Sequence, residues 1–182
     1  EWDYTNILTI LRLAGVPVRA ADRTAHDPLV VVGGAVTFVN PEPLAPFADV
    51  VAAGEGEVLV PGLVDSCREG LERGDLLKSL APKRGFYIPS FYDVDYNADG
   101  TILKFVPREG SGAPAVVKKA ALPTTEAVDP PCTRIFTPDT EFGSRFLVEV
   151  VRGCANLCPF CWAGYNYLPV RGFPADRILA RA

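Results

Sequence analysis

Three of the five cysteines in this 182-residue chain fall in one short run, Arg152-Gly153-Cys154-Ala155-Asn156-Leu157-Cys158-Pro159-Phe160-Cys161, with the spacing C-x3-C-x2-C. Such close spacing lets a single loop aim three sulfurs at one centre, which is how thiolates hold an iron–sulfur cluster. On a four-iron cubane, three thiolates leave one iron without a protein ligand, an open position of the kind that catalytic zinc sites also keep. Other uses of the same residues are weaker. Zinc normally takes four protein ligands, and the candidates for a fourth, Cys67, Cys132 and His26, are all distant in sequence. A disulfide would leave one of the three sulfurs over, and short spacings suit metal or redox chemistry in a reducing compartment. Ferredoxin-type electron-transfer arrays usually have four cysteines at a different spacing.

A loop of this kind needs elements to position it. Phe146-Leu147-Val148-Glu149-Val150-Val151 reads as a strand that ends at the cysteines. Pro174-Ala175-Asp176-Arg177-Ile178-Leu179 reads as the opening of a helix, with Asp176 in its first turn. Further upstream, Ile7, Ile10, Leu11 and Ala14 recur at helical spacing and Gly15 follows as a terminator. A short extended piece is expected at 16–20. Leu29-Val30-Val31-Val32 and Asp49-Val50-Val51-Ala52-Ala53 are β-rich runs, each closed by glycines, and they predict strands buried on both faces. Between them the proline-rich stretch 41–47 allows only a helical turn. A helix is expected over 58–71, and strand, glycine turn and helix in alternation form a doubly wound α/β pattern. Phe86-Tyr87-Ile88 and Ile102-Leu103-Lys104-Phe105 lie on either side of Asn97-Ala98-Asp99-Gly100, a hairpin signal. Residues 107–144 read as a linker with one strand at 115–120.

Composition narrows the function classes. The chain is 48% hydrophobic and 22% charged, with net charge −4, so it is globular and carries no global basic field for nucleic acid or an anionic membrane. No apolar run is long enough to span a bilayer, and no membrane partner is expected. Methionine is absent and the last helix has no stop signal, so the chain reads as an internal fragment.

The cysteine loop resembles the signature of the radical S-adenosylmethionine (SAM) superfamily. Its flanks, Arg152-Gly153-Cys154, Cys161-Trp162-Ala163-Gly164-Tyr165 and Tyr167-Leu168-Pro169-Val170-Arg171, are similar to a family in which a cobalamin-binding-type domain precedes the barrel. The resemblance implies that Cys154, Cys158 and Cys161 ligate a [4Fe-4S] cluster whose open iron holds SAM. No catalytic residue beyond these ligands is expected in the chain. The resemblance also places Phe160 near the SAM adenine, the alternative being a core-facing phenylalanine. The implied chemistry is reductive cleavage of SAM to a 5′-deoxyadenosyl radical, on a substrate the chain does not specify, with flavodoxin or ferredoxin as reductant. The cytoplasm is the natural place for an oxygen-sensitive cluster, and the acidic charge neither supports nor excludes a nucleic-acid substrate.

By the same resemblance, the expected organisation is a truncated Rossmann-like cobalamin-binding-type domain at 1–80, a hairpin and linker at 81–144, and the first βα unit of a TIM-like barrel at 145–182. Such a piece should not turn over alone. Thr5, Gly33, Gly34 and Thr37 are the implied cobalamin contacts, while Glu55 and Glu57 suit the N-terminus of the helix that follows them. An Asp-x-His-x-x-Gly element is missing and the single histidine, His26, sits in a polar loop, so any cobalamin would bind without a histidine ligand. Two other classes remain open: a non-catalytic iron–sulfur or zinc module, and a corrinoid carrier with a structural cysteine loop.

Overall fold

The computed structural model describes residues 2–182. They form two compact units, the first ending at Ala121 and the second running from Leu122 to Ala182. Both are built from short helices and small sheets, a mixed α/β architecture.

In the first unit α1 spans Trp2–Leu13. Its end is a Schellman closure, in which Gly15 at φ 68° donates to the Arg12 carbonyl and Val16 donates to Leu11. Its inward stripe is Tyr4, Ile7 and Leu11; Ile10 and Ala14, expected to face the core, are exposed instead. The expected extended piece at 16–20 forms no strand, and residues 20–22 make a single 3-10 turn.

Strand β1 (Val31–Gly33) lies parallel to β2 (Val50–Ala52), with Val31 opposite Val50, and β3 (Phe86–Tyr87) pairs antiparallel on the other side of β2. The period-2 alternation sends successive side chains of β2 to opposite faces. Val50 packs with Leu59, Leu77, Leu80 and Phe86, whereas Val51 packs with Val32, Leu44, Tyr87 and Tyr92, and both valines are 0% exposed. The sequence reading of a strand covered on both faces therefore holds for β2. On the first of these faces lie α3 (Gly56–Arg68) and α4 (Arg73–Leu80), the latter not foreseen from sequence. The proline-rich stretch makes a 3-10 turn at Glu42–Leu44, as expected, and α2 (Val36–Val39) is a short turn after β1.

Asn97-Ala98-Asp99-Gly100 does turn a hairpin, between β4 (Tyr92–Tyr96) and β5 (Ile102–Pro107). Phe86-Tyr87, expected in that hairpin, instead joins the central sheet, because its two aromatic side chains fill both faces beside β2. Residues 107–121 are not a free linker. Arg108 donates to the Phe91 carbonyl, and the Tyr92 hydroxyl donates to Pro114 at 2.7 Å. Ala120 donates to Ala53, and its carbonyl accepts from Glu55, in a parallel bridge with Gly54 where a strand was expected. A Cβ at Gly54 would lie 2.3 Å from the Ala120 oxygen, so this glycine serves a close approach of the chain to itself.

At the N-terminal edge of the sheet the buried Asp49 carboxylate takes Arg23 at 2.8 Å, Arg73 at 2.7 Å and the Val30 amide at 2.8 Å. Removing one partner of a buried charge network leaves the others uncompensated. Asp49→Ala should therefore destabilise the first unit by about 3–5 kcal/mol, read as a lower urea midpoint, whereas Asp65→Ala, in an exposed pair with Arg68, should change it by less than about 0.5 kcal/mol.

Candidate metal centre

The cysteine loop lies in the second unit, between β6 (Val151–Arg152) and α5 (Trp162–Asn166). Strand β6 pairs antiparallel with β7 (Arg171–Gly172), Phe173 donates to the Val150 carbonyl, and α6 (Ala175–Leu179) follows with Asp176 in its first turn, as read from sequence. The expected strand 146–151 is much shorter. Its first part pairs elsewhere: Thr133 donates to Leu147, Glu149 donates to Pro131, and Cys132 bridges Val148.

Two buried arginines brace the loop. Arg152 makes a bidentate pair with Glu149 at 3.0 and 2.7 Å, and its guanidinium lies 5.8 Å from the centre of the Phe173 ring. Arg171 donates to the carbonyls of Pro169 at 3.0 Å and Leu122 at 2.7 Å. Thr125, also buried, donates to Gly172. Both arginines were legible in the sequence only as flanks of the motif, since nothing in their spacing shows that they turn inward onto carbonyls and a carboxylate.

Gly153 bends the chain away from β6 at φ 85°, where a Cβ would lie 2.6 Å from the Tyr167 oxygen. Leu157, in the middle of the loop, adopts the left-handed conformation at φ 47°, and the Tyr165 hydroxyl donates to its carbonyl at 2.7 Å. The Cys161 amide closes a turn onto the Cys158 carbonyl at 2.9 Å. The loop is thus held by its ends and by one tyrosine, while the three sulfurs remain free of disulfides and half-buried. In donor chemistry the set suits an iron–sulfur cluster: three unoxidised thiols, reachable from solvent, on one turn. Among the described residues, no three His, Cys, Asp or Glu side chains are gathered as around a metal, so the sulfurs do not form a ready-made cage.

Phe160 is 90% exposed, which rules out a core-facing role and leaves its ring available to a ligand. Of the residues proposed from sequence in the first unit, Gly33, Gly34 and Thr37 fall in one turn. Thr5 is exposed on α1, and Gly33 and Gly34 are exposed where β1 ends, Gly34 at φ 91° with open space where a Cβ would be. Thr37 is buried and donates its hydroxyl to the Gly34 carbonyl at 2.7 Å, so it fixes the turn rather than offering a donor. A cleft of about 210 Å³ lies beside it, too small for a corrinoid. The cleft itself is not legible in the sequence, because its rings at 87–105 meet Thr37 and Glu42 only in the fold.

Fold and loop together define a mixed α/β protein with a free three-cysteine turn. Residues 1–89 match the family described as radical SAM proteins, N-terminal. The match does not extend to a cobalamin-binding function. Over 181 residues, 98% of its length, the chain is 23% identical to an uncharacterized protein of Methanocaldococcus jannaschii. It spans 32% of that relative's length. No solved structure matches. Among the described residues no helix is long and apolar enough to cross a membrane.

Gly153→Ala should cost at least about 1–2 kcal/mol from the left-handed backbone alone, before the clash with Tyr167 is counted. Phe160→Ala should leave stability within about 0.5 kcal/mol, while Phe173→Ala, in the core of the unit, should cost about 3 kcal/mol or more. Urea unfolding followed by Trp162 fluorescence in a Trp2→Phe background checks all three.

Proposed function

We propose that the chain is part of a radical SAM enzyme in which Cys154, Cys158 and Cys161 hold a [4Fe-4S] cluster. The observation that carries this reading is that two non-overlapping stretches point to one class. Residues 1–89 match the N-terminal family, and the C-x3-C-x2-C loop lies well outside that match, at 154–161. A chance motif would have no reason to follow such a segment. When bound, the cluster supplies the electron for reductive cleavage of SAM.

The roles of the chain's own residues follow from the loop. The three thiols, as thiolates, supply the ligands and leave one coordination position open for the amino and carboxylate groups of SAM. Gly153 lets the loop leave β6 and turn at once, and the Arg152–Glu149 pair fixes the strand end from which it departs. Phe160, exposed beside Cys161, offers an aromatic face to the adenine. Strand β6, the cysteine loop and α5 would be the opening βα unit of a barrel, in which the antiparallel partner β7 has no place among the parallel strands, and the first unit would be a Rossmann-like accessory domain. A corrinoid without a histidine ligand, if that domain binds one, would lie against Gly33-Gly34 with Thr5 nearby and Thr37 holding the turn. The reductant would be a flavodoxin or ferredoxin in the cytoplasm.

Anaerobic reconstitution with iron and sulfide, of this chain and of a longer natural chain that contains it, tests the reading. About four irons should bind per chain, and in the longer chain the electron paramagnetic resonance spectrum of the reduced cluster should change when SAM is added. Alanine at Cys154, Cys158 or Cys161 should abolish iron binding, whereas Cys67→Ala and Cys132→Ala should keep it. Uptake of zinc alone, or a cluster indifferent to SAM, would favour the non-catalytic module instead. For the corrinoid, a visible-spectrum titration with hydroxocobalamin should shift its absorption bands; unchanged bands would remove cobalamin from the proposal.

A further inference from the structure

The cleft beside the carboxyl end of β2 carries chemistry that the cysteine loop does not use. Open α/β sheets take ligands at this edge. Its lining includes the rings of Tyr87, Tyr92 and Phe105, Val51 within β2 and Ala53 just past its end, and the polar residues Thr37 and Glu42. The three rings form one cluster, with centroids 5.1 Å apart for Tyr87 and Tyr92, 5.1 Å for Tyr92 and Phe105, and 6.3 Å for Tyr87 and Phe105.

The hydrogen bonds of the lining decide what could bind. Two of the three hydroxyl protons there are already given away. Tyr92 donates to the Pro114 carbonyl at 2.7 Å and Thr37 to the Gly34 carbonyl at 2.7 Å, while the Tyr87 hydroxyl is close enough to the Glu42 carboxylate to feel its charge. Burial, reinforced by the Glu42 carboxylate, pushes the Tyr87 hydroxyl far above its ordinary range, so it stays a neutral donor. Among the described residues no lysine, arginine or histidine lines the cleft. Its side chains offer a ligand one carboxylate and aromatic rings. A phosphate or carboxylate would meet no cationic side chain here and would be repelled by Glu42. A small cation with an apolar shell would find both attraction and contact, because aromatic faces and a nearby carboxylate stabilise the same charge.

We propose that the cleft formed by Tyr87, Tyr92, Phe105 and Glu42 binds a small alkylammonium ion of the methylated type. Its methyl groups lie against the rings and its charge is offset by Glu42. The volume of about 210 Å³ accommodates such an ion with a short side arm. The site needs neither iron nor SAM, so it stands or falls independently of the cysteine loop.

Calorimetric titration of the whole chain with choline and with its uncharged isostere 3,3-dimethylbutan-1-ol tests the proposal. Choline should bind at least about tenfold more tightly than the alcohol. Glu42→Gln keeps the shape of a half-buried surface turn, and it should weaken choline about tenfold while leaving the alcohol unchanged. Phe105→Leu keeps an apolar wall but removes a ring face, and should weaken choline severalfold with little change for the alcohol. Equal binding of the two compounds would reveal a plain apolar cavity and overturn the proposal. So would the absence of choline binding at tens of millimolar, or affinities that both substitutions leave unchanged. Should Glu42→Gln fail to fold, the Phe105→Leu comparison decides alone.

Discussion

The first unit depends on one buried carboxylate. Asp49 stands where β2 begins, and its oxygens take Arg23 and Arg73 while also accepting the Val30 amide. Its own amide donates to the Val30 carbonyl. The residue therefore fixes the offset between β1 and β2 at their N-terminal edge, and a one-residue slip would turn every side chain of β2 to the other face. Arg23 carries the constraint outward, with its remaining donors on the carbonyls of Pro17, Val18 and Phe47. Arg73 carries it to α4, and also reaches the Asp27 carbonyl. Such a buried charge is tolerable because each of its oxygens faces a cationic partner. Once the register is set, Val50 and Val51 divide the core between the two faces of the sheet.

The second unit uses the same device on a smaller scale. It has little apolar core, with Phe173 its one buried large hydrophobic residue among those described, so polar contacts do much of the positioning. Arg152 and Arg171 are both buried on adjacent strands, one paired to a carboxylate and the other spent on carbonyls. This arrangement leaves the cysteine loop outside the packed interior. If the proposed cluster binds here, its ligand thiols must be reached and deprotonated, which an exposed loop allows.

Glycine shows how one residue type serves different ends. At Gly54 and Gly153 the missing Cβ makes room for the chain's own backbone, at Ala120 and Tyr167. At Gly34 the space is open, and the positive φ alone accounts for the residue. The sequence offers all three as strand-end glycines. Only the position of segments 66 residues downstream of Gly54 (120 − 54) and 14 residues downstream of Gly153 (167 − 153) separates a packing requirement from a place a ligand could approach.

By itself, the sequence determined what depends on neighbouring residues: the cysteine spacing, the Asp-Gly hairpin, the glycine closure of α1 and the β-rich run of β2. Each is a local preference that short-range sterics and hydrogen bonding enforce. It did not reveal that Phe86-Tyr87 joins β2 instead of the hairpin, that 107–121 folds back onto the first unit, or that 146–149 leaves β6 to pair with 131–133. Those choices balance pairings between distant segments with similar β propensity, and burial decides among them. The aromatic cleft is of the same kind, since Glu42, Tyr87 and Phe105 have no sequence relation. Only the fold around β2 brings a carboxylate and three rings to one side of the sheet.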